Sequence, residues 1–276
     1  MKILISADME GATGVTCPDD CEPGHPRWEY HRGLFTSDVN AAIAGFAEAG
    51  ADEILVNEAH ADQRNLLLEQ LDSRASLLIG NHKPLGMMEG IDLHPDAVAF
   101  LGYHTGAGEL GVLAHTYLPN TITSVHINGM VCSEGRMNAL LAAEYGVPVA
   151  LVTGDDLTGV DAKLYAPEAV TVSVKTCIDR YAAICQHPKV TAANIQQGAY
   201  ESIVNLSSSP VPTAGEYTYD VSFDAAHLPV LVTHIPGVER TGNLSVRFTL
   251  PTMYEAIRCF RALTRVASSA IEPHYG

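Results

Sequence analysis

The sequence predicts an α/β fold, a three-layer α/β/α arrangement around a mostly parallel sheet, with a second, smaller α+β domain. Three observations predict it. Short β-branched runs alternate with helix-period segments in the first half, whereas the second half carries runs of strict apolar/polar alternation. Hydrophobic residues make up 47% of 276 residues and charged residues 17%, which is enough apolar material to cover a sheet on both faces and unlike a disordered chain.

Residues 2–7 (KILISA) end at Asp8-Met9-Glu10-Gly11, as a buried parallel strand does on reaching the edge of its sheet. Val39, Ile43 and Phe46 recur at helical spacing within 37–49, with Thr36, Ser37 or Asp38 as N-cap and Gly50 as the stop. A strand follows at 53–57. Segment 65–71 reads as helical, 76–79 and 97–103 as strands, 134–145 as a helix closed by Gly146, and 149–153 as a strand. In such an alternation the functional residues belong on loops after the carboxyl ends of strands.

Beyond that point 169–175 alternates as a strand, 191–205 is helical, and 207–212 (SSSPVP) is a break. Tyr217, Tyr219, Val221 and Phe223 alternate with polar residues, as do Leu244, Val246, Phe248 and Leu250, which suits half-exposed antiparallel strands. A final helix from Thr252 sets Met253, Ile257, Phe260 and Leu263 on one side as a core stripe. The expected division is residues 1–165 as an α/β catalytic domain and 166–276 as a smaller α+β domain, the boundary lying near 155–168. The segment at about 116–130, with its Asn128-Gly129 hairpin signal, is a candidate to pack with the second domain.

Charge narrows the function. Sixteen Lys+Arg against 32 Asp+Glu leave a net charge of −16, which excludes a nucleic-acid binder and favours a cationic or metal-mediated ligand. No window holds the roughly 18 apolar residues of a membrane span, and Asp8 follows the start too soon for a signal peptide, so a cytoplasmic protein is expected. Six cysteines without a CxxC pair fit reduced thiols; Cys17 and Cys21, four apart in a loop, read as thiols ahead of a metal clip.

Asp8 and Glu10 stand two apart at a strand end, where residues i and i+2 point to the same side. A divalent cation relieves the repulsion of two such carboxylates most strongly. The pattern recurs: His60 closes Asn57-Glu58-Ala59-His60, His104 closes Gly102-Tyr103-His104, and Glu134 opens a helix. Singly, each is an ordinary surface histidine or helix cap. On one edge of a parallel sheet they become a mixed N/O ligand set suited to zinc, and five ligands suit two ions better than one.

At these residues the chain resembles the DppA-type D-aminopeptidases, binuclear zinc peptidases. The matching stretches are Ser6-Ala7-Asp8-Met9-Glu10-Gly11, Val56-Asn57-Glu58-Ala59-His60, Lys83-Pro84 with Met88-Glu89-Gly90, Phe100-Leu101-Gly102-Tyr103-His104, Gly111-Val112-Leu113-Ala114-His115, Glu134 with Asn138-Ala139, Val147-Pro148-Val149, Gly154-Asp155-Asp156, and Val174-Lys175 with Arg180. They keep the family's order over about residues 1–180; Glu58-Ala59 departs from the Asp-Ser expected there, and 181–276 matches only in general pattern.

The resemblance implies two Zn²⁺ per subunit, with Asp8 bridging, Glu10 and His104 completing one ion and His60 and Glu134 the other. It implies that His115 is the catalytic residue outside the ligand set, described in the family as a nucleophile; the residues themselves leave general base or proton shuttle open. It further implies hydrolysis of short peptides from a free amino terminus, a preference for D-residues, water activated by two metals, and a homo-oligomer forming a ring of ten. Lys175 and Arg180 are candidates for binding substrate carboxylate or oxyanion, and Asn57, Asp155 and Asp156 for supporting the ligands from behind. Two other functions fit parts of the pattern. A binuclear metallophosphatase shares the ligand types but wants a phosphate cradle or basic group at the site, which the sequence does not offer. A non-catalytic dipeptide-binding protein would need no metal.

Overall fold

The computed structural model describes residues 1–206 and 215–272. The chain begins with β1 (Lys2–Ala7), α1 (Pro26–Glu48), β2 (Glu53–Glu58), β3 (Ala75–Leu78), β4 (Ala97–Leu101), β5 (Ile122–Ile127) and β6 (Met130–Val131). It continues through α2 (Glu134–Glu144), β7 (Val149–Asp155), α3 (Asp156–Tyr165), β8 (Val170–Asp179), β9 (Ala182–Cys185) and α4 (Pro188–Val204). The last elements are β10 (Tyr217–Phe223), α5 (His227–Val232), β11 (Glu239–Arg240), β12 (Ser245–Leu250) and α6 (Met253–Ser268).

A seven-stranded sheet runs β3-β2-β1-β4-β7-β8-β9, parallel throughout except for the terminal β9. Ile3, Leu4 and Ile5 are all buried, so β1 is covered on both faces, as an apolar run without alternation requires. On one face Ile3 and Ile5 join the core of α1 and α4 through Val39, Ile43, Phe46, Ile195 and Ala199. On the other, Leu4 joins α2 and α6 through Met137, Leu141, Ile257 and Phe260. This is the three-layer α/β architecture that the strand and helix alternation predicts.

A second, five-stranded antiparallel sheet runs β11-β12-β10-β5-β6. Its central β10 buries Tyr217, Tyr219, Val221 and Phe223 on one face. The stripe of α6 formed by Met253, Ile257, Phe260 and Leu263 is fully buried. Asn128 and Gly129 take left-handed backbone, φ 52° and 78°, and join β5 to β6, so the hairpin signal lies in this second sheet.

Several local expectations need correction. The first helix begins at Pro26, eleven residues ahead of the apolar pattern, because His25 caps it by accepting from the Arg27 amide and Pro26 occupies the first turn. Trp28 and Tyr30 therefore lie on this helix. Segment 65–71 forms only a single 3₁₀ turn, Leu68–Gln70, since the amides of Asn65 and Leu66 are used by the Glu58 carboxylate. The first sheet also continues past residue 165, with β8 pairing parallel to β7 and α4 packing on α1, so the division at 165/166 does not coincide with the sheets. The half-exposed β8 alternates because it lies near the edge of that sheet. The break at 207–212 lies outside the described residues.

Candidate active site

β1, β2 and β4 are neighbours in the sheet, so the loops leaving their carboxyl ends emerge together. Two glycines let them touch. The Gly11 amide donates to Gly102 O at 2.7 Å, and a Cβ on Gly102, whose φ is +69°, would sit 2.0 Å from the Asp8 carbonyl oxygen. A Cβ on Gly11 would meet Tyr103 O at 1.9 Å. The loop bearing Asp8 and Glu10 is thereby laid against the one bearing His104. Behind it, the Tyr103 hydroxyl bonds Ser6 Oγ at 2.7 Å and accepts from Asn138 Nδ2 at 2.8 Å, tying β1 and β4 to α2. Glu134 opens α2 beside its cap Ser133, and its Oε1 accepts from the Tyr117 amide at 2.7 Å.

Asp8, Glu10, His60, His104 and Glu134 meet at this edge, all buried. Asp8 turns one oxygen to each histidine: Oδ1 is 3.4 Å from His60 Nδ1 and Oδ2 is 3.4 Å from His104 Nε2. His60 Nδ1 also lies 2.8 Å from Glu10 Oε2, and His104 Nε2 lies 3.6 Å from Glu134 Oε2. The ring nitrogens that face away are held by carbonyls, which only accept: His60 Nε2 donates to Cys21 O at 2.8 Å and His104 Nδ1 to Thr105 O at 2.9 Å. That outer hydrogen bond orients a metal-ligating imidazole and leaves its other nitrogen for the ion.

The electrostatics are those of a cation site. Burial and the neighbouring Glu10 raise the pKa of Asp8 above its ordinary value, against the pull of His104 and His60. Burial alone would raise Glu10, but His60, His115 and His104 hold it well below the usual carboxylate range. Burial would lower His60 and His104, yet their carboxylate neighbours raise both well above the usual imidazole range. Protons thus balance the buried acids of the protein alone, and a divalent cation would displace them.

The donor set fits zinc on a direct observation. Asp8 Oδ2 and His104 Nε2, which face each other, are buried without a hydrogen-bond partner. Three groups of potential ligands have their donor atoms within 4.8 Å of one another: Asp8 with His104 and Glu134, Glu10 with His104 and His115, and Glu10 with Cys21 and His60. Glu10 therefore stands with both His104 and His60, whereas Glu134 stands with His104 and Asp8 and not with His60. Burial, with the nearby Glu10 and Asp8, raises the Cys21 pKa, and the Sγ–H donates to Pro18 O at 3.4 Å. Cys17 belongs to none of these groups.

His115 completes the cluster from the loop before β5. Its Nδ1 donates to Leu113 O at 2.8 Å, its Nε2 lies 3.6 Å from Glu10 Oε1, and burial together with His104 lowers its pKa. A neutral imidazole with a bare Nε2 results.

The remaining candidates do other work. Lys175 is fully buried, and its ammonium donates to the carbonyls of Glu10 at 2.7 Å, Ala12 at 3.0 Å and Val15 at 2.6 Å. All three donors are spent, so it fixes the loop after β1 instead of binding substrate. Arg180 is committed to Asn120 Oδ1 at 2.9 Å and to the Tyr181 ring, and it is absent from the cavity lining. Asn57 bridges Lys83 Nζ, at 2.6 Å, to the carbonyls of Gly86 and Met87, at 2.9 and 2.8 Å. Asp155 caps α3 and accepts from the Val112 amide at 2.7 Å, steadying the loop that carries His115; Asp156 accepts from the Cys177 amide at 2.7 Å. Neither aspartate bonds a histidine of the cluster.

A cavity of about 320 Å³ opens on the cluster, lined by Asp8, Glu10, His60, Glu134 and His115 and, across α6, by Arg261, Thr264, Arg265 and Ser268. Cys21, Tyr117 and Leu118 complete much of the wall. Sequence reading missed the contribution of α6, whose apolar stripe drew attention to its buried side. The signal was present as Arg261 and Arg265 on the polar face, in a chain with only 16 basic residues. The absence of a basic group, held against phosphate chemistry, is therefore not met.

Comparison with known proteins agrees with the geometry. The model of peptidase family M55, described as D-aminopeptidase, matches residues 1–262. A D-aminopeptidase from Bacillus subtilis (strain 168) is 31% identical over 271 residues, covering 97% of this chain and 98% of that protein. A solved structure, the Zn-dependent D-aminopeptidase DppA from Bacillus subtilis, described as a self-compartmentalizing protease, superposes with a TM-score of 0.95 at 30% identity, covering 99% of this chain and 100% of that one. The five clustered side chains thus lie in a chain that matches a peptidase family over nearly its whole length, and the protein belongs to the D-aminopeptidase family.

Proposed function

We propose that this protein is a zinc-dependent aminopeptidase that cleaves short peptides next to a free amino terminus, with preference for D-residues. The observation that carries the reading is the convergence of three carboxylates and two imidazoles at the carboxyl edge of the parallel sheet, with Asp8 turned to both histidines. Two zinc ions would be held by Asp8, Glu10, His60, His104 and Glu134. Bound zinc supplies Lewis acidity toward the scissile carbonyl and lowers the pKa of water to about 7.

The chain's own residues supply the rest. His115, neutral and with Nε2 bare, takes a proton as water attacks and returns it to the departing amine. Glu10 Oε1, at 3.6 Å, stabilises the imidazolium while it exists. Burial of the cluster strengthens each of these interactions by excluding water. The Leu113 carbonyl fixes the tautomer that a general base requires, with the Nε2 lone pair free.

The self-compartmentalizing relative supports an assembly that encloses its active sites, and we extend this to a homo-oligomeric ring of ten in the cytoplasm. No helix of the described residues is long and apolar enough to cross a membrane. Hydrolysis of D-Ala-D-Ala and L-Ala-L-Ala before chelation, after it and after zinc is restored tests the reading, with phosphate monoesters in parallel. Zinc-restorable cleavage of the D-peptide is expected. Cleavage of esters alone, or peptide cleavage indifferent to chelation, rejects it.

A further inference from the structure

The cavity that opens on the acidic cluster carries two guanidinium groups on the same face of α6, Arg261 and Arg265. Like charges four apart on a helix repel, and in a chain of net charge −16 carboxylates are plentiful. Arg27, Arg32, Arg74 and Arg247 each pair with one. Arg261 and Arg265, like Arg64, Arg136, Arg180, Arg240 and Arg258, pair with none among the described residues, but of these seven only Arg261 and Arg265 line this cavity. Arg261 donates to the carbonyls of Lys83 and Pro84, which hold it in place without neutralising it. Arg265 spends one donor on Asn81 Oδ1 at 2.6 Å, and a guanidinium has five.

A second feature of the wall asks for a ligand with acceptors. The Tyr117 hydroxyl is buried without a hydrogen-bond partner, and its residue holds left-handed backbone at φ 59°, a strained conformation for a bulky side chain. Tyr117 lines the cavity, its ring edge-on to Phe260 of α6 at 5.2 Å between centroids. A wall with acids and candidate metal ligands at one part and unpaired guanidiniums at another matches a zwitterion. The volume of about 320 Å³ lies at the small end of ligand cavities, which run about 300–1,000 Å³, and excludes a long chain.

We infer that Arg261 and Arg265 bind the C-terminal carboxylate of a short peptide whose amino end lies at the acidic cluster, so the enzyme selects free peptide acids. Planar guanidinium matches carboxylate in two parallel hydrogen bonds, and Arg265, the less committed of the two, is the better placed to form them. The inference rests on the aminopeptidase reading and adds to it what the far end of the substrate must be.

The test is the ratio of kcat/KM for D-Ala-D-Ala over its C-terminal amide, with the L-pair alongside, in the zinc-loaded wild type and in R265Q, R265K and R258Q. Wild type should favour the free acid by about ten- to a hundredfold, the value of hydrogen bonds to a charged group. R265Q should bring the ratio close to one, mainly through KM for the acid, and R265K should restore part of it. R258Q changes an arginine that lies outside this cavity and bonds Tyr254, and it should keep the wild-type ratio. Equal handling of acid and amide by wild type, or an equal fall on both in R265Q, overturns the inference while leaving the peptidase intact. Competitive inhibition by inorganic phosphate that R265Q abolishes, with no acid preference, assigns the pair to a free anion and also overturns it. If wild type cleaves neither peptide nor amide, the aminopeptidase reading itself fails and takes this inference with it.

Discussion

The imidazoles of His104 and His115 lie face to face, with 4.3 Å between ring centroids and 7° between planes. One ring belongs to the proposed ligand set, and the other is turned so that its free nitrogen looks toward Glu10. Stacking on a fixed ligand and donating to Leu113 O together leave His115 little rotational freedom. Proton transfer needs that kind of fixed geometry more than it needs proximity to the metal.

Replacing His115 by alanine should therefore leave zinc content unchanged and lower kcat by about 10²–10⁴-fold, the usual contribution of a positioned acid–base group. Metal analysis and steady-state rates on the same preparation check it. Loss of zinc in proportion to activity would make His115 a ligand instead.

Gly102→Ala should separate the two loops that build the site. The added methyl falls 2.0 Å from the Asp8 carbonyl in a backbone conformation of φ +69°, so either the protein fails to fold or Asp8 shifts. A folded variant should retain helicity by circular dichroism yet bind less than half the wild-type zinc. Full metal occupancy in a folded G102A would show that the close approach does not position the ligands.

Tyr117→Phe removes a hydroxyl that has no hydrogen-bond partner among the described residues, so it should not destabilise the fold, and the melting temperature should hold or rise. If that hydroxyl serves substrate, kcat/KM should fall about three- to tenfold, one neutral hydrogen bond of about 0.5–1.5 kcal/mol. An unchanged kcat/KM would remove Tyr117 from substrate contact.

Asp38 supplies a pH-dependent stability outside the ligand set. Burial raises its pKa from 3.8 to about 6, against hydrogen bonds from the Thr13 amide and hydroxyl and the charge of Lys175. A raised folded pKa means stability that is complete below about pH 4 and lost as pH climbs through 6, up to about 3 kcal/mol. Asp38→Asn cannot titrate. Urea unfolding at pH 4 and pH 7 should show wild type losing about 3 kcal/mol relative to the variant across that interval, whereas parallel curves would contradict the shift.

The parts of this protein legible in sequence are those set by local periodicity and by position in a parallel sheet. KILISA reads as a buried strand because nothing in it alternates, and that one placement puts Asp8 and Glu10 at the functional edge. His60 and His104 follow by the same reasoning from β2 and β4. His115 lies on an irregular loop with no period to place it, and only the resemblance singled it out. The role of Lys175 was hidden for a different reason: a lysine in an alternating strand looks solvated, and only tertiary packing shows its ammonium taken up by three carbonyls of the first loop. Arg261 and Arg265 share a helix with a strong apolar stripe, and which cavity the opposite side borders is a property of how α6 docks, not of its spacing.

Anomalous scattering at the zinc edge from crystals of the metal-loaded protein tests the central claim most directly. Two peaks per chain are expected, both within bonding distance of Asp8, with Glu10, His60, His104 and Glu134 supplying the remaining protein ligands. Zinc bound elsewhere, or a cluster that stays metal-free in a preparation cleaving D-Ala-D-Ala at full rate, would contradict it.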